Sequence, residues 1–290
     1  MLKNGGKTTM LEKGFYCALG TPLDQEGDII KNSLEAHIES QITAGASGLL
    51  LMGTMGMLGC IKSDQYQIAT ETAVKTVGNR VPLMVGAADN SIARVKDRLA
   101  VLNKYDVSVV LTAPYYFGMS QQTTMNYFKA AASMTDHDVY LYDHPFTARY
   151  KLTFADVIRL AEIENIKGIK TGDAVLIKSL HDAKEIKKDF TPIFSNSDLF
   201  AVGHAYGIHH ILDGIFACFP KNIQAAQDAF NKGDFETGKN TLNRMMKARD
   251  DMFVVGIWPA FSYAMNLLGF EGTFSPDYEP ELDEEQKALV

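Results

Sequence analysis

Cysteine is scarce in this 290-residue chain, and its three copies, Cys17, Cys60 and Cys218, stand far apart without CxxC spacing. An odd, scattered set builds neither a disulfide frame nor a zinc site, and fits free thiols in a reducing compartment. No uninterrupted apolar run approaches the ~20 residues that span a bilayer as a helix. The opening segment MLKNGGKTTMLEKGFY lacks the apolar stretch of a secretory signal. Positive charge is also short: 28 Lys and Arg against 35 Asp and Glu leave a net charge of −7. With no basic stripe, nucleic acid is not the expected partner. There is no G-x-S-x-G elbow of a serine hydrolase and no internal repeat or low-complexity linker. What remains, 46% hydrophobic and 22% charged residues, is an ordinary globular composition. A cytoplasmic enzyme or binding protein is expected, acting on a small molecule and meeting neither nucleic acid nor membrane.

Short apolar runs alternate with longer amphipathic ones. The strand candidates are Gly14–Gly20, Ser47–Gly53, Val81–Ala87, Val107–Ala113, Asp138–Tyr142, Ile166–Lys170, Thr191–Ser195 and Leu212–Ala217. Most are apolar nearly throughout, as strands covered on both faces of a parallel sheet are. Between them, Lys31–Thr43 carries Leu34, Ile38 and Ile42 at helical spacing. Ser63, Ser91 and Thr153 open further helices as candidate N-caps. Eight such units predict an α/β fold, a (β/α)8 TIM barrel, over residues 1–220. An open doubly wound sheet would call for a Gly-rich phosphate turn after the first strand, and none is present. Three more helix patterns, Ile223–Asn231, Glu236–Phe253 and Trp258–Leu268, predict a C-terminal helical extension over 221–290. The tail from Glu271 reads as loop followed by at most a short helix.

Barrel enzymes place their chemistry at the C-terminal ends of the strands. On the sixth strand, period-2 alternation puts Ile166, Gly168 and Lys170 on one face and Lys167 and Ile169 on the other. Ile169 suits the helix layer, so Lys170 should face the barrel at its mouth. A lysine stripped of water there is a carbonyl nucleophile; the bland alternative is a rim lysine paired with Asp173. Tyr142 ends the fifth strand beside it, and a phenol there can move protons, although a rim aromatic is common. Gly53-Thr54-Met55-Gly56 offers a hydroxyl and backbone N–H groups to a carboxylate, or is a turn that needs glycine. Asn196, just beyond the seventh strand, is also expected at the substrate.

These segments together resemble the dihydrodipicolinate synthase / N-acetylneuraminate lyase superfamily of class I pyruvate aldolases, from Thr21-Pro22 to Trp258–Phe270. The family's G-T-T-G-E stands as Gly53-Thr54-Met55-Gly56-Met57, its P-Y-Y as Pro114-Tyr115-Tyr116, its Y-N-x-P as Tyr142-Asp143-His144-Pro145 and its lysine segment as Gly168-Ile169-Lys170. The resemblance implies a cofactor-independent carbon–carbon lyase in which Lys170 forms a Schiff base with a 2-oxo acid. It makes Tyr142 the proton shuttle, Thr54 its relay, and Tyr116 a residue lent by a neighbouring subunit of a homotetramer, a dimer of dimers. Backbone N–H groups of Met55 and Gly56 would hold the carboxylate, and Phe216 would line the pocket.

Three departures bear on the substrate. Met55 replaces a threonine hydroxyl, Met57 replaces a glutamate, and Thr147 stands where dihydrodipicolinate synthases carry an arginine for the aldehyde's carboxylate, with Arg149 two residues on. Sugar-acid aldolases of the superfamily use small or hydroxyl residues in that loop. The expected partners are therefore pyruvate or a 2-keto-3-deoxy sugar acid, sialic-acid-like or ketodeoxygluconate-like, and an aldehyde. The alternatives are a dihydrodipicolinate synthase, an imine-dependent dehydratase, and a non-catalytic barrel that binds a 2-oxo acid. His204, His209 and His210, between the seventh and eighth strands, read as solvent-facing or capping residues, not as metal ligands, and Asp143-His144 as a loop variant.

Overall fold

Apolar runs too short for helices and buried on both faces become the strands: β1 Gly14–Ala18, β2 Gly48–Leu51, β3 Leu83–Gly86, β4 Ser108–Thr112, β5 Val139–Asp143, β6 Ile166–Thr171, β7 Thr191–Phe194 and β8 His210–Asp213. In the computed structural model, which describes residues 11–290, they pair in parallel and in chain order, and β8 returns to β1 to close the barrel. The first ten residues of the predicted 1–220 span, including most of the opening segment, lie outside the described residues.

Alternation along the strands sorts side chains into two cores. Tyr16, Ala18, Leu50, Met84, Val110, Tyr140, Tyr142, Ile193 and Leu212 fill the barrel interior, joined by Leu11. The larger shell lies between strands and helices. Two glycines make the floor possible. A Cβ on Gly48 would sit 2.3 Å from the Tyr16 ring, and one on Gly168 would sit 2.6 Å from Tyr140 and 2.4 Å from the Thr191 carbonyl. Only the missing side chains let these two rings cross the interior.

The helices are α1 Lys31–Thr43, α2 Ser63–Val77, α3 Ile92–Leu102, α4 Gln121–Ala132, α5 Pro145–Ala148, α6 Phe154–Ala161, α7 Ala174–Asp182, α8 Phe200–Ala205, α9 Pro220–Asn231, α10 Phe235–Val255, α11 Ile257–Leu267 and α12 Glu284–Lys287. Ser91 caps α3, and Thr153 caps α6 in a reciprocal box with Asp156. Ser63 does not cap α2: it is already the first helical residue, and Lys62 at the N-cap makes no side-chain capping bond. Helix α9 packs on β1, α10 on α9, and α11 on α10. The tail is loop and then α12, as expected, and it is pinned to the barrel by reciprocal backbone bonds between Leu23 and Thr273 of 2.9 and 2.8 Å.

Two strand assignments change. The last strand begins at His210, not Leu212, because residues 210–213 pair with Gly14–Cys17. After Asp213 its own carboxylate accepts the Ile215 N–H at 3.1 Å and turns Ile215–Ala217 into a 3-10 helix. His210 is thereby a strand residue. On β6, a bulge opposite Val139/Tyr140 breaks the alternation, so Ile166 joins the outer shell while Gly168 and Lys170 keep the inner face.

Candidate active site

Strands β5 and β6 bring Tyr142 opposite Lys170 in register. Both are buried, and the Lys170 Nζ lies 3.9 Å from the centroid of the Tyr142 ring. No carboxylate among the described residues forms an ion pair with Lys170, so the alternative of a Lys170–Asp173 pair is not realised; Asp173 pairs with Lys151 at 3.3 Å. The Tyr142 hydroxyl lies 3.3 Å from Thr54 Oγ1, carried by the loop after β2.

That loop is shaped unusually. Its left-handed positions are Met52 and Met57, at φ 55° and 53°, not its glycines. Gly56 is needed for close approach instead, since a Cβ there would meet the Met52 backbone nitrogen at 2.9 Å. The Gly56 carbonyl accepts the Thr21 hydroxyl at 2.8 Å and Met57 N–H donates to Thr54, whereas Met55 and Gly56 N–H have no acceptor among the described residues. Adjacent unused backbone donors of this kind are suited to holding an anion. The Met55 side chain crosses to β8 and lies on Gly214, where a Cβ would come within 2.0 Å of it.

Behind the pair runs a second polar layer. Asp143 and Thr171 each follow a site residue and face away from the interior. The buried Asp143 accepts from Thr171 Oγ1 at 2.8 Å, from Leu152 N–H at 3.0 Å, and pairs with Lys151. Burial alone would raise the Asp173 carboxyl, but the N–H groups of Leu176 and Val175 and the Lys151 ammonium hold it below the usual carboxylate range. This network ties the ends of β5 and β6 together and so fixes the separation of Tyr142 from Lys170. His144, next along, meets the Tyr142 ring at 5.2 Å. Burial, and then the charge of Lys170, push its imidazole below the ordinary histidine range.

The other expected residues scatter. Tyr116 is 70% exposed on the loop after β4, stacked edge-on with Phe117, and does not reach Tyr142 within this chain. The side chain of Asn90 holds that loop by accepting from both Tyr115 and Tyr116 N–H at 2.9 Å. Phe216 does not line the pocket: the 3-10 turn swings it into the outer shell, fully buried against Phe15 and Phe200. Asn196 spends its amide on the Gly172 carbonyl at 3.1 Å, joining the loops after β6 and β7. Thr147 stands on α5 with its hydroxyl against His144, and Arg149 closes that helix at φ 50°. His204 and His209 meet edge-to-face at 4.5 Å, His204 contacts Asn231, and His210 contacts the Leu11 carbonyl. Among the described residues no three His, Cys, Asp or Glu side chains gather as metal ligands, and no helix is long and apolar enough to cross a membrane. Sequence reasoning passed over His144, Lys151 and the Ser197–Asp213 hydrogen bond of 2.7 Å. For Lys151 the available signal was an acidic Asp143 where the resembled motif has asparagine.

Comparison with known proteins agrees with this architecture. The model of the Dihydrodipicolinate synthetase family matches residues 12–289. A 4-hydroxy-tetrahydrodipicolinate synthase of Parvibaculum lavamentivorans is 29% identical over 259 residues, 89% of this chain and 88% of the relative. One of Acidiphilium cryptum is 28% identical over 267 residues, 90% of each chain. Among solved structures, a dihydrodipicolinate synthase of Bacillus anthracis superposes with a TM-score of 0.86 at 24% identity, over 96% of this chain and 95% of the other. A prophage protein of the dihydrodipicolinic acid synthase family from E. coli K12, solved in complex with pyruvate, gives 0.86 at 21% identity over 96% of each.

Proposed function

The chain belongs to the dihydrodipicolinate synthetase family of carbon–carbon lyases, and from that premise we propose that Lys170 forms a Schiff base with pyruvate or a 2-keto-3-deoxy sugar acid. The observation that carries this is a buried amine without a carboxylate partner among the described residues, set on a tyrosine whose hydroxyl meets a threonine. The Lys170 amine, once it has shed its proton, adds to the ketone carbon of the 2-oxo acid, and water leaves to give the imine. The substrate carboxylate rests on the Met55 and Gly56 N–H groups. Loss of a proton from the adjacent methyl gives an enamine, which adds to an aldehyde carbon and forms the new carbon–carbon bond; cleavage is the reverse. Tyr142, relayed by Thr54, carries the protons. The same proposal includes a homotetramer in which Tyr116 of a neighbouring copy completes the relay, supported by the exposure of Tyr116 and Phe117, and a cytoplasmic location.

Two observations divide over the second substrate. The relatives, which are 4-hydroxy-tetrahydrodipicolinate synthases, favour that synthesis. Thr147, at the place of the arginine that holds a carboxylate in the resembled synthases, favours an uncharged hydroxylated aldehyde, and we adopt that reading. Borohydride reduction with pyruvate followed by peptide mass spectrometry tests the imine. A pyruvyl adduct on Lys170, absent in Lys170→Ala, is expected; an adduct on another lysine, or none at saturating pyruvate, removes Lys170 from this role.

A further inference from the structure

The rings of Tyr142, His144 and Phe146 form a stair from the amine of Lys170 to solvent, with centroid steps of 5.2 and 6.2 Å, and Phe146 at its top is 96% exposed. His144 occupies the middle step and is held from one side only. Thr147 Oγ1 touches both the His144 carbonyl, at 3.3 Å, and His144 Nδ1. A hydroxyl has a single hydrogen and two lone pairs. Donating that hydrogen to the carbonyl leaves the oxygen to accept from Nδ1–H, and both contacts are then satisfied at once. The tautomer that results carries its proton on Nδ1 and a bare lone pair on Nε2. Nε2 has no protein partner among the described residues, and it is absent from the unpartnered atoms sealed from solvent. Burial and the charge of Lys170 keep the ring neutral near pH 7.

We infer that His144 Nε2 accepts a hydrogen bond from a hydroxyl of the aldehyde half of the substrate, with Thr147 as the residue that sets its tautomer. This rests on the imine reading and names the group that would choose the second substrate. An acceptor nitrogen attracts hydroxyl donors and is repelled by a carboxylate, which can only accept. The subsite thus selects by donor against acceptor where an arginine would select by charge.

The test compares pyruvate condensation with glyceraldehyde, with propionaldehyde, which lacks the hydroxyls, and with succinic semialdehyde, which adds a carboxylate. Wild type is expected to favour glyceraldehyde over propionaldehyde by about tenfold in kcat/KM, the value of a hydrogen bond, and to use succinic semialdehyde least. His144→Phe, which keeps the ring stair without an acceptor, brings the first ratio to near unity. Thr147→Val lowers it and Thr147→Ser restores it, a pattern that loss of packing alone would not give. An unchanged ratio in His144→Phe, or a wild-type preference for succinic semialdehyde, overturns the inference. Should His144→Phe fail to fold, an unchanged ratio in Thr147→Val overturns it instead. Borohydride trapping of the wild type separates the two levels: no adduct on Lys170 removes the imine reading and this one with it, whereas an adduct with an unmoved ratio removes only this one.

Discussion

One strand, β6, carries a buried lysine at each end, and the two are treated in opposite ways. Lys167, 9% exposed at the floor, pairs with Asp189 and lies near Asp138. The hydrogen bond from Lys167 holds the Asp189 carboxyl below its usual range. Lys170, 6% exposed at the mouth, has an aromatic face and no ion-pair partner among the described residues. A buried ammonium is normally retained only with a counter-ion, so the floor lysine is explained by its carboxylate, whereas the mouth lysine has the proposed imine chemistry as its explanation. His37 on α1 shows a third outcome. It is fully buried against Phe270 and Phe274, neither ring nitrogen has a partner among the described residues, and burial pushes its pKa down to about 3. With neither partner nor task, the base discharges.

The sharpest test of this contrast is Tyr142→Phe. It keeps the ring under the amine and removes only the proton carrier, so kcat should fall by about 10²–10⁴-fold with a smaller effect on pyruvate binding. An unchanged kcat would leave the mouth lysine no better equipped than the floor lysine. Next comes His37→Leu. His37 is neutral when folded and has its ordinary value when unfolded, so its contribution is whole above pH 6.5 and is lost as pH falls toward 3. At pH 5 that loss is about 2 kcal/mol. Denaturant unfolding at pH 7.5 and pH 5 should show a smaller pH penalty in the variant; equal penalties would mean that His37 is protonated in the fold. The smallest effect belongs to Lys167→Met. Because Asp189 is 39% exposed and can rehydrate, the loss should be about 1 kcal/mol, seen as a Tm drop of ~2–4 °C. Turnover should stay within about twofold of wild type, and a collapse of turnover would bring the floor lysine into the chemistry.

The barrel was legible because its evidence is periodic: runs buried on both faces recur at βα spacing, and closure follows from their number. The pairing of Lys170 with Tyr142 was legible because each stands one residue before the C-terminal end of its strand. The errors fall where a distant hydrogen bond decides a local question. Residues 210–217 are apolar enough for a strand anywhere, and only pairing with β1 and the Asp213 turn choose 210–213. That choice carried Phe216 out of the pocket. The β6 bulge likewise has no mark in the sequence, and it alone moves Ile166 to the helix side. Lys151 lies eight residues beyond Asp143, and nothing local announces their pairing. His144 was set aside because a lone histidine in a loop is ordinarily nothing more, and its tautomer depends on a hydroxyl one helical turn away.

The rings of Tyr16 and Tyr140, admitted by Gly48 and Gly168, close the barrel from below. A vessel stoppered at one end has a single doorway. On the proposed imine chemistry, the 2-oxo acid and its aldehyde would share that doorway, and a second reactant arriving first would stand in the path to Lys170. Traffic through such a site would be a queue, with the covalent guest entering first and the aldehyde following it.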